Sequence, residues 1–299
     1  MSFSFLRAPI ILLVTPFVFH SCSNNVPKEK EQKPEPLPVA DIGYNFSMPL
    51  NKWALPVQLN EISGIVKLDG NRMLAIEDLH PVLYELTLDK DKGVISDTIS
   101  FKETAKEKFD IEDVTMIGDT VYALWSHGAL FKIKDWKNKK EITEIKTGLH
   151  KENNTEGLTY DPVTGNLLVA CKNDAEGEDE KKSTRAIYEF DVKSETLNPT
   201  PFLLIHKKDL DKLKGGKIDF YPAAIAIHPI NHDIYVISTR SNKCIVRFSH
   251  DGQLKAFEYL DKETLPQPEG ICFDQQGNLY ISTESRHGQA AYIYEYISK

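Results

Sequence analysis

Four glutamates stand near the start of similar short motifs spread along the chain. They are Glu61, Glu112, Glu156 and Glu269, in the segments NEISGIV, IEDVTMI, TEGLTYD and PEGICFD. Carboxylate oxygens bind hard cations such as Ca²⁺, which takes six to eight oxygen ligands in flexible geometry. The motifs contain no paired His or Cys of the kind that binds Zn²⁺. If the four carboxylates converge, either a cation binds among them or some of their pKa values rise.

A fifth motif, PAAIAIH at residues 222–228, has Ala223 where the others have Glu. The five positions recur at intervals of about 45 to 50 residues, apart from one longer interval before Ala223, which suits repeats of four short strands. In each repeat a turn rich in Gly, Asn or Asp follows the motif and precedes a second apolar run. The first two strands of each repeat are therefore predicted to form a hairpin.

The predicted fold is an all-β, five-bladed β-propeller of four-stranded antiparallel blades. The fifth repeat has no fourth strand before Lys299, whereas residues 44–59 precede the first repeat. We expect this N-terminal segment to supply the missing strand and close the ring, since an unpaired strand edge is a liability. A sixth, degenerate blade within residues 172–221 is the alternative. Because innermost strands surround the channel, the glutamates are expected to converge at one mouth.

Loops that follow the second strands are expected to form the rim of this mouth, because a hairpin returns the chain to the end at which it started. They are EDLHP (77–81), WSHG (125–128), KNDAEGEDEKKSTR (172–185), TRSNK (239–243) and ESRHGQ (284–289). His80, His127 and His287 are candidate ligand-binding residues on these loops, with Trp125 as an apolar contact. The alternative is that the loops are simply solvated.

Two interpretations of the glutamates stay open. In the first, Glu61, Glu112, Glu156 and Glu269 bind Ca²⁺ at the channel mouth. In the second, each glutamate accepts hydrogen bonds from backbone amides at its tight turn and is a repeated structural staple.

The first 22 residues are typical of an export signal. Arg7 precedes an apolar run over residues 8–19, which is too short to span a bilayer, and Ser21 stands before Cys22. This predicts lipidation of Cys22, with an ordinary signal peptide or a retained anchor as alternatives. Residues 23–41 are rich in Pro, Lys and Glu and are predicted to be a flexible tether, so residues 42–299 form the propeller domain. The expected location is the cell envelope, as an outer-membrane or cell-surface lipoprotein facing the periplasm or the exterior.

Composition excludes several classes of function. The net charge of −8 makes nucleic acid an unsuitable partner, because phosphate binding needs clustered Lys and Arg. Cys171, Cys244 and Cys272 lie within apolar strand patterns and are predicted to be buried free thiols. The sequence contains no GxSxG, HExxH, P-loop or CxxC motif.

Taken in order, the segments NEISGI, FDIEDVT, NTEGLTYD, YPAAIAIHP and QPEGICFD resemble the SdiA-regulated family of bacterial propellers, which look distantly like NHL-repeat proteins. The resemblance covers residues 55–296. It implies a propeller that frequently binds calcium near its channel and has no established enzymatic activity. Ala223 departs from the pattern and leaves a metal site one carboxylate short, unless Asp219 substitutes.

Two functions follow as expectations. The first is a non-catalytic binding or scaffold protein that is stabilised by calcium, tethered to a membrane, and presents one face to an unknown protein or small-molecule ligand. The second is a metal-dependent hydrolase, because PEGI also looks like the metal-binding glutamate motif of lactonase propellers, in which a divalent ion polarises a carbonyl oxygen.

Overall fold

The repeats fold as antiparallel sheets because each is a series of short runs of β-branched and aromatic residues, separated by turns. The computed structural model describes residues 40–103, 108–138, 141–174, 184–214, 216–286 and 288–299. The predicted signal segment, Cys22 and nearly all of the tether lie outside the described residues. None of the helices in the described ranges has the length and apolar character needed to cross a bilayer.

The described residues form twenty-one strands and one α-helix. The strands are β1 (Asn51–Ala54), β2 (Ile62–Lys67), β3 (Arg72–Glu77), β4 (Val82–Asp89), β5 (Lys92–Ser100), β6 (Ile111–Ile117), β7 (Thr120–Trp125), β8 (Ala129–Lys134), β9 (Glu141–Lys146), β10 (Thr155–Asp161), β11 (Asn166–Asp174), β12 (Thr184–Asp191), β13 (Thr196–Leu197), β14 (Leu203–His206), β15 (Pro222–Ile227), β16 (Ile234–Ser238), β17 (Cys244–Phe248), β18 (Leu254–Tyr259), β19 (Pro268–Phe273), β20 (Leu279–Thr283) and β21 (Tyr292–Tyr296). The helix α1 (Lys207–Lys214) lies in the stretch HKKDLDKLK, and a 3₁₀ turn covers Val57–Leu59.

Each repeat forms antiparallel pairs in chain order. The groups are β2–β5, β6–β9, β10–β13 with β14 also beside β12, β15–β18, and β19–β21. Strand β1 pairs antiparallel with β21 and places Trp53 opposite Ile293, although the two are far apart in sequence. It also meets β5 at a single parallel pair, Ala54 and Lys92. The described part of residues 172–221 adds β13, β14 and α1 beside the third sheet.

The first strands of the five repeats lie side by side. Strand β2 contacts β6, β6 contacts β10, β10 contacts β15, β15 contacts β19, and β19 contacts β2. A cavity of about 140 Å³ is lined by all five strands, through Ile65, Val114, Leu158, Ile225 and Ile271 among others. The architecture is therefore all-β, with sheets arranged around a common axis as in a propeller.

The apolar core is divided among the gaps between sheets. Five buried clusters occur among the described residues, and each joins two neighbouring sheets. Leu74 of the first sheet packs in the same cluster as Phe131 of the second. Met73 of the first sheet shares a cluster with Tyr280 of the last. Burial at about 25 cal/mol per Å² of apolar surface stabilises each of these junctions.

Three cysteines fall in the described part of the chain, and all are free. Cys171 and Cys244 are buried as predicted, whereas Cys272 is half-buried. Burial raises the pKa of the Cys171 and Cys244 thiols to about 12, so both stay protonated at neutral pH.

Candidate functional site

A β-bulge recurs where the first strand of each repeat begins. In β6, Ile111 stands opposite Trp125 and Asp113 opposite Leu124, so Glu112 has no cross-strand partner of its own. The same slip in register occurs between Thr155 and Gly157, Pro222 and Ala224, Pro268 and Gly270, and Ile62 and Ile65. A bulge leaves its extra residue unpaired and re-aims that side chain. The glutamates therefore face the axis because of a repeated irregularity in the ladder.

The bulge corrects the sequence alignment of the first repeat. Because Ile62 pairs with Glu77 and Ile65 with Ala75, the residue equivalent to Glu112 is Ser63, not Glu61. The five bulge positions are Ser63, Glu112, Glu156, Ala223 and Glu269. Glu61 instead precedes the bulge position by two residues and stands beside the site.

Backbone hydrogen bonds support this register. In four repeats, the residue that precedes the bulge position by two accepts a hydrogen bond from an N–H near the end of the second strand. The donors and acceptors are Asp78 and Glu61, Ser126 and Asp110, Lys172 and Asn154, and Glu284 and Gln267. Glu61 therefore corresponds to Asp110, Asn154 and Gln267, which explains why the sequence alignment was two residues out in the first repeat.

Four of the five bulge positions, all but Ala223, open on a cavity of about 260 Å³, which we call the acidic cavity. Its lining residues are Ser63, Asp78, Asp110, Glu112, Asn154, Glu156, Lys172, Gln267, Glu269 and Glu284. Six carboxylates thus surround one lysine. Three of the four predicted glutamates converge here, while Glu61 lies close enough for its charge to raise the pKa of Asp78 and Glu284, after the larger effect of burial.

Burial and crowding raise the pKa values of these carboxyls. Burial, and then the charge of Glu284, raises the pKa of Glu269 to about 8. Burial raises the pKa of Glu156 to about 7, and burial with the neighbouring charge of Glu156 holds the pKa of Glu112 well above its ordinary value. Burial also raises the pKa of Asp78 to about 6 and that of Glu284 to about 7. The cavity therefore holds protons at neutral pH unless a cation enters.

Lys172 is the cationic side chain among the described lining residues. Its Nζ lies 2.8 Å from Oε2 of Glu156, and Asn154 Nδ2 donates a hydrogen bond to Oε1 of the same carboxylate. Burial disfavours the charge of Lys172, but the ion pair with Glu156 and the charges of Glu269 and Glu112 together outweigh burial and raise its pKa. Sequence reasoning did not identify this residue, which falls at the first position of the 172–185 loop.

A structural staple is found one residue beyond the bulge. The buried carboxylate of Asp113 accepts hydrogen bonds from the N–H of Val114 at 2.8 Å and of Leu158 at 2.7 Å, so it ties β6 to β10. The oxygens of Glu156, in contrast, accept from the side chains of Asn154 and Lys172. Backbone stapling of the kind expected for the glutamates is therefore seen at Asp113.

Neither His80 nor His127 is among the residues that line the acidic cavity. The side chain of His80 is exposed, with Nδ1 2.7 Å from Oε1 of Glu77. Trp125 and His127 stack with their ring centroids 5.1 Å apart and line a separate cavity of about 510 Å³. Asp219 is exposed and its Oδ1 lies 3.1 Å from Nζ of Lys207. His287 lies outside the described residues.

Three of the rim loops nevertheless contribute to the site, through residues near the end of the second strand. Asp78, Lys172 and Glu284 all line the acidic cavity. Each donates its backbone N–H to the residue directly before the first strand of its repeat, which keeps its side chain near the axis. They stand one to three residues after the last apolar residue of the second strand, which is the sequence signal that would have identified them.

The donor chemistry of the cavity fits a hard cation, because carboxylate, amide and hydroxyl oxygens make up nearly all of its polar groups. Glu112, Glu156 and Glu269 are the residues that would hold such an ion. In the described residues the side chains are not gathered into a group of three or more His, Cys, Asp or Glu placed to hold a metal. The present arrangement instead supplies Lys172 as the partner of Glu156.

Comparison with solved structures gives similar folds at low sequence identity. A glutaminyl cyclase from Myxococcus xanthus is 13% identical, and the similarity covers 84% of this chain and 95% of that chain with a TM-score of 0.56. A structural genomics protein of unknown function from Bacteroides thetaiotaomicron is 14% identical, covering 87% of this chain and 76% of that chain with a TM-score of 0.49. At such identities only the fold is shared.

Comparison with curated proteins found no match. The model of the SdiA-regulated family matches residues 43–286, which contain the first four repeats, β19 and β20 of the fifth, and every residue that lines the acidic cavity. The resemblance predicted from the five motifs is confirmed, and this chain belongs to the SdiA-regulated family.

Proposed function

We propose that this chain is a non-catalytic, calcium-binding β-propeller of the cell envelope, in which the acidic cavity holds Ca²⁺ and steadies a face that binds a protein or small-molecule ligand. The observation that carries the proposal is the imbalance of charge in the cavity, where six carboxylates surround one lysine. A divalent cation would relieve the crowding that raises the carboxyl pKa values.

The proposal includes five blades closed by the N-terminal strand. It is supported by the pairing of β1 with β21, by the contact of β19 with β2, and by an apolar cluster in the gap between the last and first sheets. A sixth blade would need a further sheet from residues 172–221. The described part of that stretch lies beside the third sheet instead, which favours five.

Calcium would be held by Glu112, Glu156 and Glu269, with the amide oxygens of Asn154 and Gln267 near enough to contribute. These residues come from three repeats, so an ion would join β6, β10 and β19 across the axis. Anything that binds the folded state alone stabilises it, by about 2.7 kcal/mol when the free ligand is at 100 times its Kd.

A thermal melt of chelator-treated protein with Ca²⁺, with Mg²⁺ or with neither tests this function. We expect Ca²⁺ to raise Tm selectively, and Glu112→Gln and Glu269→Gln to abolish the increase. Glu141→Gln is the matched control, since Glu141 is exposed and pairs with Lys134 away from the cavity. A Tm that no cation changes would contradict calcium binding.

A metal-dependent hydrolase is the second candidate, because Glu269 has a pKa of about 8 and could act as a general base near neutral pH. Against it, His80 and His127 lie outside the acidic cavity. Purified protein with Ca²⁺ should be assayed on lactones and esters beside Glu269→Gln. Turnover by the wild type that the variant loses would establish the enzyme, and equal background rates would exclude it for those substrates.

We also propose export and lipidation at Cys22, from the sequence of residues 1–22. Membrane-fraction protein should carry a lipid-modified N-terminal cysteine by mass spectrometry, and Cys22→Ala should release the protein from that fraction. An unmodified Cys22 in the mature protein would contradict lipidation.

A further inference from the structure

The ammonium of Lys172 occupies a place that an exogenous cation would compete for. Its Nζ lies 2.8 Å from Oε2 of Glu156, which is 3% exposed and stands at a bulge position. The side chain of Lys172 extends from β11, whose backbone is fixed at this residue by the hydrogen bond from the Lys172 N–H to the carbonyl of Asn154. The ammonium therefore reaches the acidic cavity from a backbone position that a hydrogen bond holds in place.

The position of Lys172 is shared with acidic residues of other repeats. The equivalent residue is Asp78 in the first repeat and Glu284 in the fifth, as their matching backbone hydrogen bonds show. A carboxylate at the third-repeat position would have added one more ligand. The chain instead places a positive charge there, and the charges of Glu112 and Glu269 also act on it. One Oδ atom of Asp78, which also lines the cavity, is buried without a hydrogen-bond partner among the described residues.

We propose that Lys172 is a tethered counter-ion that competes with the bound cation for Glu156 and so sets the affinity of the acidic cavity. The inference rests on the proposed cation-binding function. For Ca²⁺ to bind Glu156, the ammonium must leave that carboxylate, and since the side chain of Lys172 is 22% exposed it has a route toward solvent. A positive charge kept within about 5 Å of the ion weakens binding by at least about tenfold at an effective dielectric constant near 20.

The experiment is isothermal titration with CaCl₂ of the full chain and three variants at pH 7.5. Lys172→Met removes the charge and keeps most of the length of the side chain. Lys172→Arg keeps the charge. Lys207→Met is the matched control, because Lys207 forms its ion pair with the exposed Asp219.

We expect Lys172→Met to bind Ca²⁺ at least about tenfold more tightly than the wild type. The Ca²⁺ affinity of Lys172→Arg should stay within about threefold of the wild-type affinity, and that of Lys207→Met should be unchanged. A merely structural effect of the methionine would not explain why the variant that keeps the charge also keeps the wild-type affinity. Lys172→Gln replaces Lys172→Met if the latter does not fold.

The outcomes separate the two claims. If the wild type binds Ca²⁺ and removal of the charge does not tighten binding, the counter-ion role is overturned and the proposed function stands. If only the uncharged variants bind, Lys172 has the proposed role and the wild-type site is not a calcium site. If neither the wild type nor the uncharged variant binds, both proposals fail.

Discussion

The two ends of the same inner strands differ sharply in character. At the bulge end, the first strands open on the acidic cavity, where buried carboxyls have raised pKa values. Two residues further along, the strands surround the smaller cavity lined by Ile65, Val114, Leu158, Ile225 and Ile271. One strand thus contributes to the acidic cavity at its start and to the apolar interior immediately after it. In four of the five first strands, the bulge marks the boundary between the two.

The boundary has a physical cause. An ordinary ladder would alternate side chains between the two faces of the strand, whereas the extra residue of a bulge breaks that alternation. Gly64 and Gly157 let the strands approach closely just beyond it, since a Cβ on Gly64 would lie 2.6 Å from the Val114 nitrogen and one on Gly157 2.9 Å from Ile225. The burial of polar side chains, which costs free energy, is therefore confined to positions that tightly packed neighbouring residues hold in place.

The largest expected effect on stability is at the end of the inner strands that lines the smaller cavity. Leu158→Ala should destabilise the protein by about 2 to 5 kcal/mol, because Leu158 is buried between the second and third sheets and its truncation leaves a cavity. The Tm increase on adding Ca²⁺ should persist. Urea denaturation with and without Ca²⁺ measures both, and Leu204→Ala, at an exposed leucine, is the control. A Leu158→Ala protein that loses the Tm increase with Ca²⁺ but keeps its stability would contradict this difference between the two ends of the strands.

Asp113, the residue next to the bulge, should show the next largest effect on stability. Asp113→Ala leaves the N–H groups of Leu158 and Val114 without their acceptor, which should cost about 2 to 3 kcal/mol. Asp97→Ala is the matched control, because Asp97 also accepts from the next N–H but is exposed, and it should change stability by less than about 0.5 kcal/mol. Equal effects of the two substitutions in urea denaturation would show that Asp113 is not a staple.

The pH dependence of stability tests the raised pKa values of the carboxyls in the acidic cavity. A carboxyl whose pKa is raised on folding contributes stability that is complete below its unfolded pKa and is lost as the pH rises through its folded pKa. Glu156 and Glu269, with pKa values of about 7 and about 8, should therefore make the metal-free protein less stable at pH 8.5 than at pH 6.5, by about 4 °C or more in Tm. This window lies above the titration of His228, whose pKa is lowered by burial.

Saturating Ca²⁺ should remove most of this pH dependence, and Glu269→Gln should reduce it without the ion. Metal-free stability that rises between pH 6.5 and pH 8.5 would contradict the raised pKa values.

The smallest expected effect is on calcium affinity and is at Glu61, two residues before the bulge position Ser63. Glu61→Gln should weaken calcium binding by less than about threefold, since Glu61 acts on the cavity only through its charge on nearby carboxyls. Glu112→Gln should abolish binding in the same titration. A loss with Glu61→Gln as large as with Glu112→Gln would restore the alignment read from the sequence.

Much of the fold could be predicted because it depends on local pattern. Runs such as VLYELTL and AIYEFDV coincide with β4 and β12, and HKKDLDKLK contains α1. The pairing of β1 with β21 agrees with the expectation that residues 44–59 supply a strand to the last repeat. These features follow from strand propensity and from the need to pair an open edge.

The site was less predictable because it depends on register. The bulge position of the first repeat is Ser63 and the nearest glutamate before it is Glu61, two residues earlier, so Glu61 was aligned with Glu112 while Ser63 holds the equivalent position. The histidines were predicted from their chemistry, but His80 and His127 lie outside the acidic cavity, whereas Asp78 and Glu284, which directly follow their second strands, line it. Lys172 was overlooked for the opposite reason, because a lysine was not expected among predicted metal ligands.

The most direct measurement of the central claim is proton release on calcium binding. The claim is that Ca²⁺ replaces protons held by buried carboxyls of the acidic cavity, among them Glu156 and Glu269. Titration with CaCl₂ at pH 7 in buffers of different ionisation enthalpy should show release of about one proton per ion, falling toward zero at pH 9. Binding with no proton release at pH 7, or no binding at either pH, would contradict it.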